Sequence, residues 1–124
     1  MVQVTVVVRE IGRLKPNYSL KFALPAIPEV GDYISIRRPD SKLYTEDIIV
    51  RAVWWELYHG ETRGVHAADD EIIGRDQGVV VECEPAIGLY SSARWLRGLE
   101  AAEGRGVKVE RFAIERFSVP EEPE

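Results

Sequence analysis

The chain has 124 residues, of which 45% are hydrophobic and 30% are charged, and its net charge at pH 7 is −5. These values are typical of one globular domain and exclude wholesale disorder. No apolar run approaches the roughly 18 residues of a membrane-spanning helix, so we expect no membrane partner. The single cysteine, Cys83, excludes an intrachain disulfide and a cysteine-rich zinc site.

The charge is divided unevenly along the chain. Residues 1–54 hold 8 Lys/Arg against 6 Asp/Glu, a net +2, and residues 55–124 hold 8 against 15, a net −7. Nucleic-acid binding needs a basic face, so this balance argues against it. The first ten residues lack a basic leader and a cleavage site, which favours a strand over a signal peptide and predicts a cytoplasmic protein.

The first third of the chain has the period-two pattern of short strands. Every second residue from Val2 to Val8 is a valine, which predicts a strand with its valine face inward. Leu20, Phe22 and Leu24 alternate with other residues in a second strand. The two strands are predicted to pair as a hairpin with a long loop. The basic residues around that loop predict either a solvent-facing hairpin tip or an anion site; they are Arg9, Arg13, Lys15 and Lys21. Pro25 and Pro28 then interrupt the pattern, and a tight turn at Gly31-Asp32 leads into a third strand, residues 33–37.

Residues 47–59 form the longest apolar and β-branched run, which predicts a central strand covered on both faces. Strict alternation would place Ile48, Val50, Ala52, Trp54 and Tyr58 on one face and Ile49, Val53, Trp55 and Leu57 on the other. Arg51 lies in the middle of this run. It either pairs with a carboxylate on an adjacent strand or marks a place where the face opens to water or a ligand.

Residues 60–78 show no sustained period and contain four glycines, which predicts a long loop of functional interest. The next strand covers residues 79–84, with Cys83 pointing to the core and Pro85 closing the strand.

One helix is predicted from Ser92 to Glu103, with Ser91 or Ser92 as its amino-terminal cap and Gly104 ending it. Trp95, Leu96, Leu99 and Ala102 form its apolar stripe, and Gly98 could mark a close approach to the sheet. Residues 107–119 predict a long bulged strand, because the apolar phase slips near Arg111 and Arg116. Residues 118–124 form an acidic tail that we expect to be disordered, so the folded domain spans residues 1–117.

Together these elements predict a mostly β fold of the α+β class. We expect a bent antiparallel sheet or partly open small β-barrel of about six strands, with one helix in the carboxyl-terminal half.

Two groups of residues are candidates for function. The first is a small-molecule or metal site at the loop 60–78, built from His59, His66, Asp69, Asp70, Glu71 and Arg51. Their spacing matches no standard ligand motif, and an acidic run is more often a solvent-facing turn. We therefore predict no particular metal and no cofactor. A nucleophilic arrangement of Cys83 with His66 and Asp69 is unsupported, because Cys83 points inward.

The second group is aromatic and comprises Trp54, Trp55, Tyr58 and Tyr33. Consecutive tryptophans on a strand point to opposite faces, so either one is exposed at an interface or ligand site, or both are covered by the core. Our leading hypothesis is a non-catalytic interaction or assembly module that self-associates or binds a protein partner. The alternative is ligand or metal binding at the loop 60–78, and an enzyme ranks third.

Overall fold

The computed structural model describes residues 1–11, 16–39, 44–60 and 73–112. Its elements follow in the order β1 (Val2–Arg9), β2 (Pro16–Leu24), β3 (Tyr33–Arg38), β4 (Tyr44–Tyr58), β5 (Arg75–Ile87), α1 (Ala93–Gly104) and β6 (Glu110–Arg111). The strands form one curled, open sheet, a half-barrel, in the order β2-β1-β5-β4-β3, with β6 beside the end of β5. The predicted fold class is therefore confirmed.

The sheet is mixed, whereas the sequence pattern predicted antiparallel pairing throughout. The pairs β1–β2, β3–β4 and β4–β5 are antiparallel, so the amino-terminal hairpin and the β3-β4-β5 meander are confirmed. β1 pairs with β5 in parallel, from Val4 opposite Val79 to Val8 opposite Cys83, and β6 also runs parallel to β5. A period-two pattern is the same whichever way the neighbouring strand runs, so it could not predict these two pairings.

The core fills the concave side of the half-barrel. It is built from inward-facing residues of the three central strands, all at most 2% exposed: Val4, Val6, Val8, Ile48, Val50, Val79, Val81 and Cys83. The inward position of Cys83 is confirmed. Its burial, followed by the nearby charge of Glu82, raises the pKa of the thiol to about 12, so that the group is neutral at physiological pH.

Both ends of β5 differ from the prediction. β5 begins at Arg75, inside the segment predicted as a loop, and it continues past Pro85 to Ile87, so Pro85 does not close the strand. The register with β1 ends at Cys83 and the register with β6 begins at Ala86. Pro85 lies between the two, where its missing N–H removes no pairing on that side.

Helix α1 begins at the predicted cap, where Ser92 Oγ accepts a hydrogen bond from the Trp95 amide at 3.3 Å. It ends after Gly104 in a Schellman motif, in which the amides of Gly106 and Val107 donate to the carbonyls of Glu103 and Ala102. The left-handed residue is Gly106, at φ 91°, and not Gly104. In the part of the chain that the structure describes, no helix is long and apolar enough to cross a membrane.

Gly98 does not approach the sheet, because a Cβ at this position would have no atom within 4 Å; that prediction was wrong. Residues 107–109 are not a strand, and of the predicted strand 107–119 only β6 is described. Residues 113–124, which include the predicted tail, lie outside the described residues.

Candidate functional site

The outer edge of β4 is the first feature that could carry function. β3 pairs with β4 only as far as Ile49, and the Val50 amide and carbonyl bond to Asp32 and Gly31. Beyond that point, no strand among the described residues pairs with this edge of β4. We call residues 51–58 the β4 edge segment. Its last three residues also extend past the pairing of β1 with β5, which begins at Val79, opposite Trp55.

A β-bulge at Arg51 changes the faces of β4 that strict alternation predicted. Val50 lies opposite Cys83 and Ala52 lies opposite Glu82, so Arg51 has no opposite residue in the register. Val53 and Trp55 therefore continue the concave side of Ile48 and Val50. Ala52 and Trp54 lie on the convex side. The predicted grouping of Ala52 and Trp54 with Ile48 and Val50 was wrong, because one extra residue in a strand reverses every later side chain.

The β4 edge segment exposes large apolar side chains on both faces. Trp54 is 61% exposed, Trp55 53%, Leu57 75% and Tyr58 49%. The expectation that both faces of this strand are covered holds only for residues 45–50, which are buried, and not for the edge segment. Both tryptophans are exposed, whereas we expected either one exposed ring or none.

Arg51 is held in an ion-pair cluster on the convex side. Its guanidinium donates to Glu84 on the adjacent strand at 2.8 Å and to Glu110 of β6 at 3.4 Å. The hydrogen bond to Glu84 is the main reason that the pKa of Arg51 is raised. Of the two interpretations of Arg51, the structure supports pairing with a neighbouring strand.

Tyr33 lies beside this cluster. Its ring meets the Phe112 ring edge to face, with the ring centres 5.1 Å apart. Desolvation and the neighbouring Glu110 raise the pKa of its hydroxyl. Tyr33 is 36% exposed and pairs opposite Ile49, so it lies at the end of the pairing that leaves the β4 edge segment uncovered.

The predicted ligand site is described only in part. His59 is exposed just beyond β4, and His66, Asp69, Asp70 and Glu71 lie outside the described residues. Within the described ranges, no group of three or more His, Cys, Asp or Glu side chains is arranged to hold a metal ion. The ligand hypothesis for the loop therefore stays a prediction.

A buried polar cluster around Asp47 was not predicted. Its Oδ2 accepts hydrogen bonds from the Tyr90 amide and the Ser91 hydroxyl, each at 3.0 Å, and its Oδ1 accepts one from the Ser35 hydroxyl. The Gly88 amide donates to Ser91 Oγ at 3.0 Å. Asp47 is 2% exposed and its carboxylate oxygens are satisfied, so the cluster ties the β5–α1 connection to β4.

A second buried carboxylate, Glu46, was also missed. It is fully buried, accepts a hydrogen bond from the Tyr18 hydroxyl at 2.8 Å, and pairs with Arg38 at 3.1 Å. The Arg38 guanidinium lies 4.7 Å from the centre of the Tyr18 ring. Burial, followed by the bond to Glu46, raises the pKa of Tyr18. This triad links the two edge strands of the half-barrel, β2 and β3, through β4.

A cavity of about 610 Å³ lies between helix α1 and the end of the β1–β2 hairpin. No sequence signal pointed to it, because its walls come from segments far apart in the chain.

Comparisons with family models, with characterised proteins and with solved structures gave no match, so the candidate sites rest on geometry alone. The candidates are the β4 edge segment and this cavity.

Proposed function

We propose that the protein is a non-catalytic assembly module that self-associates by pairing its β4 edge segment with the same segment of a second copy. The observation that carries the proposal is an eight-residue strand edge with Trp54 and Trp55 more than half exposed. Exposed strand edges present a row of unpaired amides and carbonyls, which is a template for another strand.

Apart from the β-bulge at Arg51, the described part of the chain shows none of the features that usually prevent pairing at the β4 edge segment. Soluble proteins protect their edge strands with lysine, proline, inward-pointing charge or β-bulges, or cover them with a loop or helix. Residues 51–58 contain no lysine and no proline, and their one positive and one negative side chain are Arg51 and Glu56. The segment is therefore neutral, although the whole chain carries −5. Two copies can approach at this edge without local charge repulsion.

The order of side chains also suits pairing with a copy of itself. When two identical strands pair antiparallel about a twofold axis, the residues that lie opposite each other belong to the same face of the strand. A register centred on Trp55 uses residues 52–58 of both copies. It places Trp55 opposite Trp55 of the second copy and Val53 opposite Leu57 of the second copy, so apolar side chains meet on the face that Trp55 occupies.

Absolute mass by light scattering after size exclusion tests the proposal. The wild-type chain is expected at twice 14.0 kDa, with dissociation on dilution. Trp55→Lys places two ammonium groups opposite each other at the twofold axis and is expected to give a monomer. Tyr90→Lys is the matched control, because Tyr90 is an exposed aromatic residue, at 60%, outside the sheet.

The same measurement can refute the proposal. A wild-type monomer at every concentration would reject self-association. A dimer that survives Trp55→Lys, or one that Tyr90→Lys breaks equally, would place the interface elsewhere. Circular dichroism spectra of both variants check that each is folded before its mass is compared.

A further inference from the structure

The cavity beside helix α1 has the size and lining of a small-molecule site. Ligand sites in proteins usually measure about 300–1,000 Å³ and are mostly apolar with a few polar groups. Here the volume is about 610 Å³. The apolar walls include Val8 from β1, Pro85 from β5, and Trp95 and Leu99 from the helix.

Two of the side chains that line the cavity, Trp95 and Tyr18, are held by hydrogen bonds. The Trp95 indole N–H donates to the Asp47 carbonyl at 3.1 Å and to the Ala86 carbonyl at 3.0 Å. The hydroxyl of Tyr18, which lines the cavity from β2, donates to Glu46 at 2.8 Å. These bonds fix both rings before any ligand enters, which lowers the cost of ordering the site on binding.

Gly98 keeps the helix side of the cavity open. It lies inside helix α1, where glycine is unfavourable relative to alanine, and its backbone is not left-handed. A Cβ there would meet no atom within 4 Å. Neither a turn nor a close approach of another element therefore requires glycine at position 98. The missing side chain instead leaves space in the cavity.

The charges at the rim favour an anion. Among the described residues that line the cavity, two are arginines, Arg94 and Arg105, and one is a carboxylate, Glu10. Arg94 lies in the first turn of the helix and Arg105 directly follows its last residue, which separates them by about 16 Å along the helix axis. Among the described residues, no carboxylate pairs with the Arg105 side chain. A chain that runs from Trp95 along the helix would therefore reach an available cation at the other end.

We propose that this cavity binds an amphipathic carboxylate of the medium-chain fatty acid class. The alkyl chain lies against Trp95 and Leu99, and the carboxylate bonds to the guanidinium of Arg105. The site is separate from the β4 edge segment, so binding does not depend on self-association.

Tryptophan fluorescence reports on this site directly. In the variant Trp54→Phe/Trp55→Phe, Trp95 is the only tryptophan, and its ring forms a cavity wall. Titration with decanoate below its micellar concentration is expected to change the Trp95 emission saturably. No saturable change, or a change that rises without limit, would overturn the proposal.

Two further variants test the position and the charge. Gly98→Leu places a side chain in the cavity and improves helix propensity, so it is expected to remain folded and to lose binding at least tenfold. Arg105→Gln is expected to weaken decanoate binding by about three- to fivefold, as for a solvent-exposed ion pair, and to leave 1-decanol binding unchanged. Unchanged decanoate binding in folded Gly98→Leu would move the ligand out of this cavity. Equal losses for decanoate and decanol in Arg105→Gln would refute carboxylate recognition.

Discussion

Gly88 and Asp47 are expected to be energetically coupled, because a side chain at position 88 would collide with the Asp47 carboxylate. A Cβ at Gly88 would lie 2.5 Å from Asp47 Oδ2 and 3.0 Å from its Cγ. That Oδ2 accepts hydrogen bonds from the Tyr90 amide and the Ser91 hydroxyl. Hydrogen bonds to a charged group are worth about 1.5–3 kcal/mol each, so displacing the carboxylate by Gly88→Ala should cost about 3 kcal/mol of unfolding free energy.

A double-mutant cycle isolates this coupling. In the Asp47→Ala background the carboxylate is absent and only the Cβ of residue 47, at 3.1 Å, crowds the new methyl group. The cost of Gly88→Ala should then fall to about 1 kcal/mol, which leaves a coupling energy of about 2 kcal/mol. Urea unfolding followed by circular dichroism measures all four proteins. If the two substitutions add within about 0.5 kcal/mol, Asp47 does not hold the β5–α1 connection in the way described.

Four other substitutions test separate parts of the fold. Gly98→Ala should raise the unfolding free energy by about 0.5–1 kcal/mol in the same urea assay, whereas Gly106→Ala should lower it because residue 106 has φ 91°. Ser92→Ala should cost about 1 kcal/mol by removing the acceptor for the Trp95 amide, and an unchanged stability would contradict the cap. The pKa of Cys83 is raised from 9.0 to about 12, so its contribution to stability is complete below pH 9 and is lost as the pH rises toward 12. Urea unfolding at pH 8 and pH 11 should therefore show a larger loss for the wild type than for Cys83→Ala, and equal losses would contradict the buried thiol.

The parts of the fold that repeat a simple pattern could be predicted from the sequence. The inward valines of β1, the inward Cys83 and the helix cap at Ser92 each follow from local periodicity or a single capping residue. The long strand β4 was also predictable, because its β-branched and aromatic residues form a continuous run.

The parts that were missed depend on residues far apart in the chain. The bulge at Arg51 has no glycine to mark it, and its ion pair with Glu84 spans 33 residues. Asp47 lies beside β-branched residues that predict only a strand, while its partners Ser35, Tyr90 and Ser91 come from two other segments. The cavity similarly depends on where α1 packs against the β1–β2 hairpin, which no local pattern encodes.

Strand β4 belongs to two environments, and amide hydrogen exchange along this one strand should reveal both. Its first half lies between β3 and β5, so the amides near Ile48 should exchange only when the whole domain unfolds. Amides of the β4 edge segment that point away from β5 should exchange with little protection in a dilute monomer. They should become protected as the protein concentration rises, so one continuous strand contains both the internal reference and the probe for assembly.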